Sequence, residues 1–196
     1  MSIQEEEAAK SSPESLRLVQ ECLNTNFSPK RADEWEDPEQ LRSWLLQRQL
    51  FAQDHSITRS DYQRLLEVRA AIRELVRFNS RDHRADPAQI EALNHLAQRA
   101  PLLVTFQQDG QAKLKPEAGG VDGVIATLFA DIVTAMDNGT WNRLKICRNE
   151  RCGKAFYDVS KNRSGTWCLM ARCGSRAKAK AYQQRQKQRQ ERHFDH

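Results

Sequence analysis

Four of the chain's five cysteines, Cys147, Cys152, Cys168 and Cys173, fall within 27 residues in the pattern C-x4-C-x15-C-x4-C. The two pairs repeat one another: Cys147-Arg148-Asn149-Glu150-Arg151-Cys152-Gly153 and Cys168-Leu169-Met170-Ala171-Arg172-Cys173-Gly174 both read C-x3-R-C-G. Two such knuckles facing each other supply four thiolates in a tetrahedron with no open position, the ligand set of one structural zinc ion. Glycine directly after the second cysteine admits φ > 0, so the backbone can fold tightly around a metal-bound sulfur. The neighbouring arginines offset the excess negative charge of four thiolates. Redox-active thiols and an iron–sulfur cluster are the competing readings. The first generally uses C-x-x-C beside a βαβ pattern, which is absent, and no feature favours the second. An odd thiol count and an acidic amino-terminal segment without an apolar stretch argue against a secreted disulfide framework. Cys22 lies beside Leu18, Val19 and Leu23 and reads as a small buried hydrophobe. With every ligand a protein sulfur, the metal is expected to drive folding of its segment, not catalysis.

Charge divides the chain at the same place. Residues 141–196 hold fifteen Lys/Arg against four acidic residues, a net +11, whereas the preceding 140 residues carry −6. Such asymmetry points to a polyanion-binding end on an acidic body. A length of 196 residues with 39% hydrophobic and 29% charged side chains accommodates one full domain plus a small module. No stretch free of charge and proline approaches the ~20 apolar residues of a membrane span. The expectation is a soluble protein of the cytoplasm.

Apolar periodicity lays out the body. Residues 1–12 read as a disordered leader, 13–140 as a helical domain and 141–196 as a zinc finger with a basic helix. Helices are expected from Pro13 to about Thr25, from Asp37-Pro38 as cap and first turn, from Thr58 to about Asn79, from Pro87 to before Pro101, and over Gly119–Met136. Leu102–Phe106 and Gln111–Lys115, with Asp109-Gly110 between them, suggest a β-hairpin. Short strands at Leu144–Cys147 and Ala155–Tyr157 flank the first knuckle, and a helix runs from Ser175 to about Arg192. The fold class is therefore mostly α, with one β-hairpin and a small four-cysteine finger.

The segment Lys145–Arg185 resembles the CGNR zinc-finger family in its C-x4-C with Phe156, Asp158-Val159-Ser160-Lys161-Asn162, Trp167-Cys168, and Cys173-Gly174-Ser175-Arg176. Ser175 stands where the family motif has asparagine, and serine is a competent helix N-cap. Gly165-Thr166 replaces a basic pair usual in relatives. Leu23-Asn24-Thr25, Leu41–Leu45 and Val68–Arg73 resemble the signature of the ABATE domain, which usually precedes such fingers. The resemblance implies a bacterial transcription regulator, responsive to stress or to a ligand.

On the basic helix, Arg176, Lys178, Lys180, Arg185, Lys187 and Arg189 line two flanks suited to phosphate walls, with glutamines able to reach base edges. Composition alone does not separate DNA from RNA; the family resemblance implies double-stranded DNA as the partner. RNA, the ribosome or an acidic protein is the alternative for an adaptor of another class. Asn24, Arg69 and Arg73 lie on or beside apolar helical faces and could line a pocket for a small anionic ligand in a sensing or dimerisation body. Capping by Asn24 and surface pairing of the arginines is the plainer alternative. No Ser-His-Asp order, phosphate loop or paired-carboxylate motif marks an enzyme.

Overall fold

The structure is a computed structural model that describes residues 10–28, 30–80, 86–149 and 151–194, the last six by backbone alone. Its elements in chain order are α1 (Glu14–Asn24), α2 (Pro38–Gln47), α3 (Arg59–Arg77), α4 (Pro87–Gln98), β1 (Leu102–Phe106), β2 (Ala112–Pro116), α5 (Gly120–Asp137), β3 (Leu144–Ile146), β4 (Ala155–Tyr157) and α6 (Ser175–Phe194). Local chemistry sets the helix starts. Asp37 accepts the Gln40 N–H at 2.8 Å ahead of Pro38. Thr58 and Asp61 form a reciprocal capping box at 3.1 Å in each direction. Such a cap contributes about 1 kcal/mol.

Apolar faces of α1, α2, α3 and α5 close one core around Leu16, Leu23, Leu45, Ile72, Val124 and Leu128. Trp35, from the loop before α2, is 1% exposed and meets Trp44 edge-on, ring centroids 5.1 Å apart. Ile90, Leu93 and Leu96 of α4 are half-buried, Leu96 against the core, because α4 lies at the rim against α3. Val133, one of the apolar residues of α5, is 48% exposed. Cys22 is buried, and loss of solvent pushes its thiol up to about 12, so it packs as a neutral apolar group.

Strands β1 and β2 pair antiparallel from Leu102 with Pro116 to Phe106 with Ala112. Gly110, at φ +83°, makes the turn. The second hairpin pairs Leu144 with Tyr157 and Ile146 with Ala155. Leu144 and Ala155 belong to the main core, so the cysteine-bearing segment is built onto the helices. The leader expected over 1–12 falls outside the described residues up to position 9. Beyond it, Lys10 accepts the Tyr157 N–H at 2.9 Å, and the Gln20 side chain accepts the Ser12 N–H at 2.7 Å.

Candidate metal centre

Strands β3 and β4 carry the first knuckle between them. Cys147 donates its N–H to the Lys154 carbonyl at 2.9 Å, closing the loop at the end of β3. Asn149 then folds the loop, its carbonyl accepting from Cys152 at 2.7 Å and from Gly153 at 3.2 Å. Gly153 sits at φ +64°, and an added Cβ would lie 2.6 Å from the Phe27 carbonyl oxygen, so only glycine fits.

The second pair is built differently. A short π-helix, Met170–Gly174, leads straight into α6, with Cys173 and Gly174 both donating to the Leu169 carbonyl. Gly174 is not at positive φ. It is glycine because Met170 and Trp167 pack against its Cα. Ser175 has helical backbone angles and donates its hydroxyl to the Met170 carbonyl at 3.2 Å, so it is an interior residue of a continuous helical run and not the cap expected.

The four sulfurs of Cys147, Cys152, Cys168 and Cys173 lie within 4.8 Å of one another. Cys152 and Cys168 are separated by 3.5 Å, Cys168 and Cys173 by 3.7 Å. Four thiolates at ~2.3 Å from a central zinc ion stand about 3.8 Å apart, so the donor set fits one structural zinc. Phe156 and Leu169, each 2% exposed, and half-buried Trp167 wall the cluster. On their own, crowded sulfurs cannot all ionise. Interaction first with Cys147 and then with Cys152 drives the Cys168 thiol far up, while donors from Cys147 and Cys168 hold the Cys152 thiol down. A dication shared by all four resolves that conflict.

The same hairpin carries an ion pair that the sequence did not announce. Lys145, 6% exposed, donates to Asp158 at 2.7 Å, to the Arg163 carbonyl at 2.5 Å and to the Gly165 carbonyl at 3.4 Å. Burial opposes the Asp158 charge, but Lys145, Ser160 and the Gly165 N–H outweigh it and hold the carboxyl down to about 2. Lys145 therefore does not contribute to the exposed positive charge of the carboxyl-terminal segment. Arg163, in the loop so held, adopts φ +50°. Left-handed backbone costs a non-glycine residue about 1–2 kcal/mol.

Asn24, Arg69 and Arg73 use their polar atoms on the protein itself. Asn24 accepts the Ala155 N–H at 2.8 Å and donates to the Ala155 carbonyl at 3.0 Å. Arg69 donates to Thr25 and Asp33, both at 2.7 Å, and lies 4.7 Å over the Trp35 ring. Arg73 donates to the Gly153 carbonyl at 2.8 Å and to the carbonyls of Leu23 and Asn26. Arg69 and Arg73 border a cleft of about 370 Å3 between α3 and α4, but Asn24 does not line it.

Residues 16–136 match the family described as ABATE, "Putative stress-induced transcription regulator". The chain belongs to the ABATE family. Residues 143–186 match the CGNR zinc finger. This span takes in β3, β4, all four cysteines and the first turns of α6. No curated protein matches the chain. Both families are of regulator and zinc-finger type, not enzyme families. The ABATE body supplies α1 to α5 and the first hairpin, and no described helix is long and apolar enough to cross a membrane. From the CGNR finger projects α6, twenty residues and about 30 Å long. Arg176, Lys178, Lys180, Arg185 and Lys187 are exposed along it, and the Arg189 side chain lies outside the described residues. Tyr182 is 59% exposed, and Ala181 is exposed too.

Proposed function

We propose that this ABATE protein regulates transcription by binding double-stranded DNA through α6, with the zinc-bound finger as its mount. The observation that carries the reading is the junction of metal centre and helix: Cys173 lies two residues before a helix none of whose described side chains is buried. A helix so polar has little tertiary packing to stabilise it, so a zinc-anchored first turn and a polyanionic partner supply what the sequence lacks. Arg176 and Lys180 on one flank and Lys178 and Arg185 on the other suit phosphates on either side of a groove. The ABATE body, at net −6 over residues 1–140, is repelled by the same phosphates and holds the finger instead of touching DNA. Such a regulator works in the cytoplasm, on the nucleoid.

The test is zinc-loaded full-length protein titrated with duplex DNA across a salt series, wild type against Arg176→Ala with Lys180→Ala. Neutralising ~6 phosphates gives log K a slope of about −5 against log salt, and the double variant flattens it by about 2. No duplex binding, or a slope that the variant leaves unchanged, overturns the reading. Preference for single-stranded or ribosomal RNA over duplex would move the function to the adaptor class.

A further inference from the structure

The loop from Ser160 to Thr166 is exposed at its tip and locked at its base. Residues 161–164 are all exposed, and neither Lys161 nor Arg163 makes a side-chain ion pair or hydrogen bond among the described residues. Underneath, Asp158 accepts the Ser160 N–H at 3.0 Å and the Gly165 N–H at 2.7 Å, pinning both ends of the loop. Lys145 enters from below and holds the carbonyls of Arg163 and Gly165. Ser160 accepts the Ser164 N–H at 3.1 Å, and Arg143 donates to the carbonyls of Asp158 and Ser160. A buried ion pair and this many bonds are more than a solvated connection needs.

Arg163 adds the second observation. Its φ of +50° is one that glycine or asparagine adopts more cheaply, yet a long cationic side chain occupies it. Strain of this kind persists where the surroundings impose it, and it gathers at binding sites. Arg163 precedes Cys168 by five positions, so its Cα lies within about 18 Å of the Cα of that metal-centre cysteine. One duplex can meet both.

We propose that Lys161 and Arg163 form a preformed phosphate clamp, a second DNA contact held by the buried Lys145–Asp158 pair. The inference rests on the duplex reading of α6 and goes beyond it. Cations carried on a backbone fixed before binding lose less freedom on contact than those of a mobile loop, so the clamp sets how the finger sits against the DNA backbone.

The experiment uses zinc-loaded full-length protein and one mixed-sequence duplex across a salt series. The variants are Lys161→Ala with Arg163→Gly, and Arg163→Lys alone. Glycine relieves the backbone while removing the charge, so the double variant should melt no lower than wild type. Its slope of log K against log salt should flatten by about 2, one phosphate per lost cation, with affinity down roughly tenfold or more at moderate salt. Arg163→Lys keeps the charge and should keep the slope. A wild type that binds, is weakened by the α6 substitutions and is indifferent to the loop substitutions overturns the clamp while leaving the duplex reading intact. Equal flattening by Arg163→Lys also overturns a charge contact. Absence of any duplex binding by wild type removes both.

Discussion

The side-chain amide of Asn24 pairs with both backbone polar groups of Ala155, as a third strand would, at 2.8 and 3.0 Å. Ala155 is itself fully buried on β4, beside the first knuckle. The last residue of α1 thus satisfies an edge of the finger's hairpin from inside the ABATE body. Without the amide the Ala155 N–H is left unpaired, while its carbonyl keeps the Gln20 side-chain donor at 3.3 Å; a buried donor so orphaned costs about 1–3 kcal/mol. Asn24→Ala should lower the urea-unfolding free energy of zinc-loaded protein by that amount. Asn24→Asp should cost more at neutral pH, because a carboxylate oxygen then faces the Ala155 carbonyl. Equal stability of both variants and wild type would show that water replaces the amide without loss.

Metal removal should reach the helices. From sequence, loss of a ligand as in Cys168→Ser is expected to unfold the finger and spare the body. The structure argues otherwise, since Leu144 and Ala155 sit in the main core and Asn79 donates to the Trp141 and Leu144 carbonyls, both at 2.9 Å. Arg73 likewise holds the knuckle at Gly153. Chelation should therefore lower the thermal midpoint followed by tryptophan fluorescence in a Trp167→Phe background, where Trp35, Trp44 and Trp141 of the main core report. A midpoint unmoved by chelator would show that the helices stand alone.

Periodicity and spacing made the helices, the first hairpin and the four cysteines legible, because each is a local pattern with one physical reading. Long-range polar pairing was not legible. Asn24, Arg69 and Arg73 stand out as polar residues on apolar faces, and that signal is the same whether the partner is a ligand or the chain's own backbone. Lys145 reads as one more cation in a basic segment; only the fold brings it under Asp158. Trp35 lies in a loop without periodicity, so nothing local marks it as core. The repeat in the two knuckles suggests equal turns, but Gly153 serves by its φ of +64° and Gly174 by making room for Met170 and Trp167.

Breaking the Lys145–Asp158 pair from one side should be costly. Lys145→Met leaves a carboxylate 2% exposed with its principal cation gone, and an uncompensated buried charge costs about 3–5 kcal/mol. Lys145→Met with Asp158→Asn removes the stranded charge and should recover part of the loss. Equilibrium denaturation of the two variants gives the comparison. A double variant no more stable than the single would mean that the loop's hydrogen bonds, not the charge, carry the cost.

Asp131 of α5 provides a test near neutral pH, away from the metal. It makes no ion pair or hydrogen bond among the described residues, and burial raises its carboxyl from 3.8 to about 6. The folded chain therefore binds a proton more tightly than the unfolded chain. Stability from this group is fully present below about pH 4 and falls as pH rises toward 6; above that the carboxylate is a standing penalty. Asp131→Asn removes the charge in nearly the same shape. With allowance for partial solvent access, it should stabilise the protein by about 1–2 kcal/mol at pH 7.5. The gain should shrink measurably by pH 5.5 as wild-type Asp131 takes up its proton. Urea titrations of zinc-loaded wild type and variant at the two pH values decide it: a gain that is absent at pH 7.5, or that does not diminish at pH 5.5, would show that the carboxylate is solvated where it sits on α5.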